Sequence, residues 1–372
     1  MDENIRVIKT SACRPYSIIT LLLLTCGMLL TSHASRQSNR IEYNGKPIFL
    51  SGANVAWIDY AKDIGNPNAP FDRAAFTRMF KAVRNNGGNC LRFWIHINGA
   101  HTPEFNGKSV VGPGKRSLQD LKSLCDLAYR YDVGLILCLW SFDMQRIKDD
   151  PIPDEHLARN KYILTTDKGL DGYIHNAVIP MVTSLKEHPG IIAWEIFNEP
   201  EGMTEIGDWD ETQHVTQHEV QKFTNRCAGA IRRADPAAKI TNGAWSMIAG
   251  SDQDGNTNYY TDERLIAAGG DELGTLDFYS VHYYDWDKNS PFLKPYSHWK
   301  WDKPTVIAEF HPYCDNCGEG SNFENLYKNG YAGALAWSYT DHEKGHWIAI
   351  LKEMKLISEK YETDVSPVRQ SQ

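Results

Sequence analysis

Two glutamates stand out for their surroundings. Glu199 lies in the stretch WEIFNEPEG (194–202), and Glu309 closes the apolar run VIAEF (306–310). A carboxyl at the end of an apolar run is expensive to bury without a purpose. Ends of other apolar runs carry Asn54, Trp57, Arg92, His96, Trp140, Asn198, Trp245, His282, Tyr284 and Trp337. Paired carboxyls can serve as proton donor and as nucleophile or base in breaking a glycosidic bond. Aromatic rings stack on the apolar faces of sugars, and the polar groups hydrogen-bond their hydroxyls. The sequence has no phosphate-binding glycine loop, no nucleophile elbow with a Ser-His-Asp order and no cysteine–histidine metal spacing, so neither cofactor nor metal is expected.

Such residues need elements to bring them together. Eight short apolar runs bounded by turn residues read as buried parallel strands: 48–53, 89–95, 133–139, 191–197, 239–243, 278–282, 305–309 and 334–337. Helical stretches follow them in turn at 72–85, 117–131, 171–188, 212–234, 262–268, 290–299, 323–331 and 344–361. Asp72 and Ser117 are the expected caps of the first two. Alternation of strand and helix implies a parallel sheet, and eight units imply a closed (β/α)₈ TIM barrel rather than an open sheet. A doubly wound fold would want GxGxxG after the first strand, which is missing. In a barrel the site forms at the C-terminal ends of the strands, where the chosen residues fall.

The 372 residues are 42% hydrophobic and 11% aromatic, with a net charge of −8. That is enough apolar material for one large core. The charge offers no field for nucleic acid or an anionic membrane, and it suits a neutral substrate. Residues 1–34 read as a signal peptide, with Arg6, Lys9 and Arg14 before an apolar run at 18–30 and Ser32-His33-Ala34 before the cut. An uncleaved anchor is the alternative. Residues 35–372 are then a single catalytic domain, secreted, monomeric and free of the membrane. Cys90, Cys125, Cys138, Cys227, Cys314 and Cys317 remain after cleavage, with their pairing open. The CxxC at 314–317 reads as a small bridge closing a loop, with a redox or zinc half-site as the alternative. Glu195, Glu201 and Glu205 crowd the Glu199 motif and read as structural or loop carboxylates.

WEIFNEPEG and VIAEF, with Arg92, the His282–Tyr284 pattern and Trp337, resemble glycoside hydrolase family 5 and its clan over about residues 48–339. Within that family FLSGANVAWIDYAKDIG, LRFWIHING, LWSFDM and WEIFNEPEG resemble the β-mannanases of molluscs and other invertebrates. The resemblance implies retaining, endo-acting hydrolysis of β-1,4-mannans, with Glu199 as acid/base and Glu309 as nucleophile. It implies that Arg92 and Tyr284 hold Glu309, that His282 positions Glu199, that Asn198 meets the sugar 2-hydroxyl and that Trp337 floors the cleaved subsite. Family members often carry a histidine at the end of strand 3, which this chain lacks. Trp140 is expected in its place, with Trp57 and Trp245 as further sugar platforms. A β-1,4-glucanase on the same scaffold and a non-catalytic sugar-binding protein are the competing readings.

Overall fold

The computed structural model describes residues 39–340 and 345–367. The proposed signal segment and the start of the last helix, at Lys344, lie outside the described residues. The barrel strands are β1 (Leu50–Asn54), β2 (Cys90–Ile97), β3 (Gly134–Ser141), β4 (Ile191–Asn198), β5 (Ile240–Ala244), β6 (Tyr279–Tyr283), β7 (Thr305–Phe310) and β8 (Gly333–Ala336). They close into one parallel barrel in which each strand pairs with its neighbours in chain order and β8 pairs with β1. Nearly every strand residue is buried, as expected when helices cover the outside and side chains fill the inside.

The lower, N-terminal end of the barrel is apolar. Leu50, Cys90, Ile136, Ile192, Val306 and Leu335 form a buried cluster with Ile41, Tyr43 and Ile48. The last three belong to a hairpin, Ile41–Tyr43 paired with Lys46–Ile48, that the sequence reading did not anticipate. The Tyr43 hydroxyl donates to the Pro189 carbonyl at 2.9 Å and ties the hairpin to the entrance of β4.

The helices follow from local signals in some places and depart from them in others. Helix Arg73–Asn85 starts at Asp72, whose carboxylate accepts from the Ala75 N–H at 2.9 Å. Helix Ser117–Arg130 is not capped by Ser117: Arg116 holds the cap position without a side-chain bond, and the Ser117 hydroxyl donates to Pro113 O. The single helix expected at 171–188 is a series instead: Asp154–Thr165, Asp167–Tyr173, a π-helical turn Ile174–Val178 and Ile179–Ser184. Thr166 restarts the helix there by accepting from Gly169 N. The helix expected at 290–299 shrinks to Tyr296–Trp299, because Pro291 and Pro295 break any earlier turn. Helix Gln217–Ala234 is shorter than expected and opens with a capping box of Thr216 and Glu219.

Cys314 and Cys317 form a disulfide with Cα atoms 5.5 Å apart. Cys90, Cys125, Cys138 and Cys227 are buried free thiols.

Candidate active site

The upper ends of the strands are irregular where the chemistry lies. Register slips between Trp94 and Ile97 on β2, between Glu195 and Asn198 on β4 and between Val281 and His282 on β6. Such bulges re-aim side chains at the rim. Glu199 follows β4 in a left-handed conformation, φ 47°, with its N–H held by Gly243 O at 2.9 Å. Non-glycine residues avoid that region unless the surroundings enforce it, and such strain collects at functional sites.

Arg92 organises the floor. It is fully buried, and its five N–H groups all have acceptors. Nε and one terminal nitrogen grip Glu195, at 3.0 and 2.5 Å. The other terminal nitrogen donates to Asn54 Oδ1 at 2.8 Å and to Glu309 Oε1 at 2.5 Å. The remaining N–H goes to Asn198 Oδ1 at 2.8 Å. Asn54 is fixed in turn by donating to Ala308 O at 2.7 Å. Gly243 leaves room for this cluster: a Cβ there would sit 3.0 Å from both the Arg92 guanidinium and the Glu195 carboxylate.

Glu309 and Glu199 face each other above this floor. Tyr284 donates to Glu309 Oε2 at 3.0 Å. His282 Nδ1 shares a hydrogen bond with Glu199 Oε1 at 2.8 Å and lies 3.6 Å from Glu309 Oε2. One oxygen from each glutamate and an imidazole nitrogen of His282 all fall within 4.8 Å of one another. Oxygens this close suit a retaining pair, whose carboxyls stand ~5–5.5 Å apart, better than an inverting pair, whose carboxyls are ~6.5–9.5 Å apart. The same three groups could geometrically hold a cation, but Arg92 already supplies the positive charge against Glu309.

Their surroundings separate the two acids. Burial pushes the Glu309 carboxyl up to about 7, while the charge of Arg92 and the bonds from Arg92 and Tyr284 pull it back. Glu199 is pushed well above the usual carboxyl range, first by burial and then by the charge of Glu309; Arg92 offsets only part of this. Glu309 is therefore the first to ionise, and Glu199 keeps its proton. Burial, then the charge of Arg92, holds His282 well below its ordinary value, so the imidazole is neutral. Burial, then the charge of Glu309, raises the Tyr284 phenol, which stays a donor.

A cleft of about 400 Å³ opens over the pair, lined by Glu199, Glu309, Asn198, Tyr284, Trp57 and Trp337 together with residues not singled out from the sequence. The latter are Tyr60, Phe142, Asp143, Arg146, Asp149 and Asp150, and Trp94, a weaker aromatic candidate in the sequence, lines it too. Trp57, Trp94 and Trp337 pack edge-on or tilted, with ring centres 5.4–5.9 Å apart.

Two expected platforms are elsewhere. Trp140 is fully buried, covered by His96 and Tyr173 at 4.8 and 5.8 Å, and offers no face to a sugar. Trp245 lies outside the cleft lining, edge-on to Trp209 and tilted against the half-exposed Trp286, with ring centres 5.6 and 5.0 Å away. His96 is also a core residue, bonded to Thr102 at 2.8 Å. The three extra glutamates behave as structural groups. Glu195 pairs with Arg92, Glu201 accepts from Tyr260 and from Trp245 N, and Glu205 accepts from Gln217 N.

The family described as cellulase (glycosyl hydrolase family 5) matches residues 42–349. The chain belongs to glycosyl hydrolase family 5. Its relatives there include a mannan endo-1,4-β-mannosidase of Mytilus edulis, 35% identical over 82% of this chain and 88% of that one. A mannan endo-1,4-β-mannosidase of Cryptopygus antarcticus is 31% identical over 87% and 89% of the two chains. The crystal structure of an endo-1,4-β-mannanase from Eisenia fetida aligns with a TM-score of 0.80 at 32% identity, over 90% of this chain and 98% of that one. The family 5 barrel is thus shared with a solved endo-1,4-β-mannanase.

Proposed function

We propose that this chain is a secreted endo-1,4-β-mannosidase that cleaves mannan, glucomannan or galactomannan by double displacement. The observation that carries the reading is the asymmetric carboxyl pair. Glu309 is held by a guanidinium and a phenol, and Glu199 by a neutral imidazole beside its negative neighbour. Glu309 attacks the anomeric carbon while Glu199 gives its proton to the departing glycosidic oxygen. The covalent glycosyl–enzyme removes the Glu309 charge. Glu199 then becomes the stronger acid of the two states and, ionised, takes a proton from the incoming water. The water releases the sugar with its configuration retained. In this reading Asn198 bonds the 2-hydroxyl, and Trp337, with Trp57 beside it, carries the apolar face of the sugar.

Mannan is preferred over glucan as substrate because the relatives at 31–35% identity carry mannanase names. The glucanase reading has the family's cellulase description in its favour. Parallel turnover of galactomannan and carboxymethylcellulose separates them: faster cellulose hydrolysis would replace mannan as the substrate. Among the described residues no helix is long and apolar enough to cross a membrane. Export with cleavage before Ser35 is tested by N-terminal sequencing of secreted protein, and action as a monomer by sedimentation.

Azide tests the roles of the two acids. With an activated phenol as leaving group, Glu199→Ala should accumulate the glycosyl–enzyme and be rescued by azide as the β-glycosyl azide. Glu309→Ala should form no intermediate and give only the α-azide. The reverse pattern would exchange the two assignments.

A further inference from the structure

The end of β3, where family resemblance leads one to expect a histidine, holds a different device. Ser141 is the register partner of Asn198 across the β3–β4 pair, and the two side chains meet with Asn198 Nδ2 donating to Ser141 Oγ at 3.3 Å. The direction of each bond in this group is forced. Arg92 has only donors, so Asn198 must turn its oxygen towards it, at 2.8 Å. That leaves the amide nitrogen facing Ser141. The Ser141 hydroxyl has one proton and gives it to the Asp143 carboxylate at 2.5 Å, which presents its lone pairs to Asn198. Asp143 is itself anchored by Arg146 Nε at 2.8 Å. Ser141, Asn198 and Asp143 are 0%, 1% and 4% exposed, so water does not compete for these bonds. The chain is fixed at both ends by guanidinium groups and has a single polarity.

Building on the family 5 reading of Asn198 as a sugar contact, we propose that Ser141 and Asp143 are positioning residues that lock Asn198 as an N–H donor towards the 2-hydroxyl of the sugar being cleaved. Asn198 spends one amide hydrogen on Ser141 and has a second for the cleft that it lines. Without the lock, Arg92 still holds the amide oxygen but the nitrogen is free to tilt about that single bond, and a donor aimed at a forming transition state is misplaced. Ser141→Ala removes the link without altering charge. Asp143→Asn is isosteric but brings an amide that can donate to Ser141, which frees the serine proton to point the wrong way, at Asn198.

The test compares an aryl β-mannotrioside with its counterpart lacking the 2-hydroxyl on the sugar at the cleaved bond. On the parent substrate both variants should lose about 10–100-fold in kcat with much smaller changes in KM, because a donor is misplaced and not a binding surface removed. On the 2-deoxy substrate the ratio of wild type to variant should collapse towards one. Equal losses on both substrates would make Ser141 and Asp143 merely structural and overturn the proposal, as would full activity of both variants on the parent. Should Ser141→Ala not fold, Asp143→Asn decides alone by the same ratio. If the enzyme cleaves glucosides and not mannosides, the mannanase reading fails, and the 2-hydroxy and 2-deoxy glucosides carry the same comparison.

Discussion

The two ends of the barrel are built from the same eight strands and are chemically opposite. At the lower end β1, β2, β3, β7 and β8 point Leu50, Cys90, Ile136, Val306 and Leu335 into a dry cluster. At the upper end β1 delivers Asn54, β2 Arg92, β4 Glu195 and Asn198, and β7 Glu309, all into one hydrogen-bonded group. On β2 only Leu91 separates Cys90 from Arg92. The lower end gains from burial and packing. The upper end holds charges away from water, a left-handed Glu199 and two acids pushed towards protonation. Stability is concentrated at one end, and the other is held in a demanding arrangement that chemistry requires.

The sharpest way to break this contrast is to remove function at one end while leaving the fold. Glu199→Gln and Glu309→Gln should each lower kcat on mannan by at least ~10³-fold, with circular dichroism unchanged. Near-normal turnover by either would remove that residue from the catalytic pair. Next in size are changes that separate stability from chemistry. Leu335→Ala at the lower end should lose ~2–5 kcal/mol in denaturant unfolding, with kcat per folded molecule unaltered. Arg92→Met at the upper end should lose ~3–5 kcal/mol, because Glu195 is left buried without its counter-charge, and should also lower kcat. A stable Arg92→Met enzyme would show that the floor is not the ion-pair scaffold drawn above.

The contrast also explains what the sequence could reveal. The eight strands were legible because buried parallel strands are continuous apolar runs, and the candidate pair Glu199 and Glu309 because a carboxyl at the end of such a run is conspicuous. Glu195, inside IIAWEIF, carried the same signal, but its partner Arg92 is two strands away, and only barrel closure joins them. Tyr60 and Arg146 come from loops and Asp143 from the 3₁₀ turn Phe142–Gln145, where no periodicity marks direction. Trp140 misled for a geometric reason. Its place at the end of strand 3 put it among the site candidates, but a strand end does not fix which way a ring points, and this one lies against Tyr173 in the outer core. The helix Asp154–Thr165 has a weak amphipathic pattern, and it was missed.

That correction yields a smaller effect to measure. Trp337→Ala should lower kcat/KM on manno-oligosaccharides about tenfold, the equivalent of one stacked ring worth ~1.5 kcal/mol. Trp140→Phe should leave KM unchanged and register only in thermal unfolding. A rise in KM for Trp140→Phe matching that of Trp337→Ala would return Trp140 to the sugar site.

The smallest effect concerns pH. A carboxyl whose folded pKa is raised favours the fold while it is protonated. That contribution is complete below the unfolded value of 4.5 and is lost as pH rises through the folded value. Glu199 has such a carboxyl, with burial as the leading cause and the charge of Glu309 next. Glutamine cannot ionise, so Glu199→Gln is spared the loss. The melting temperature of the variant should therefore match wild type near about pH 4 and exceed it near about pH 8, where the unfolded wild-type chain ionises Glu199 freely and burial denies that to the native state. Glu309 titrates in both proteins, so the difference isolates Glu199 and its repulsion from Glu309. Leu335→Ala, at the apolar end, should show a melting deficit that does not change across the same range. An equal gap between Glu199→Gln and wild type at both pH values would mean that Glu199 is not under electrostatic stress, and with it would go the reason for assigning Glu199 the proton.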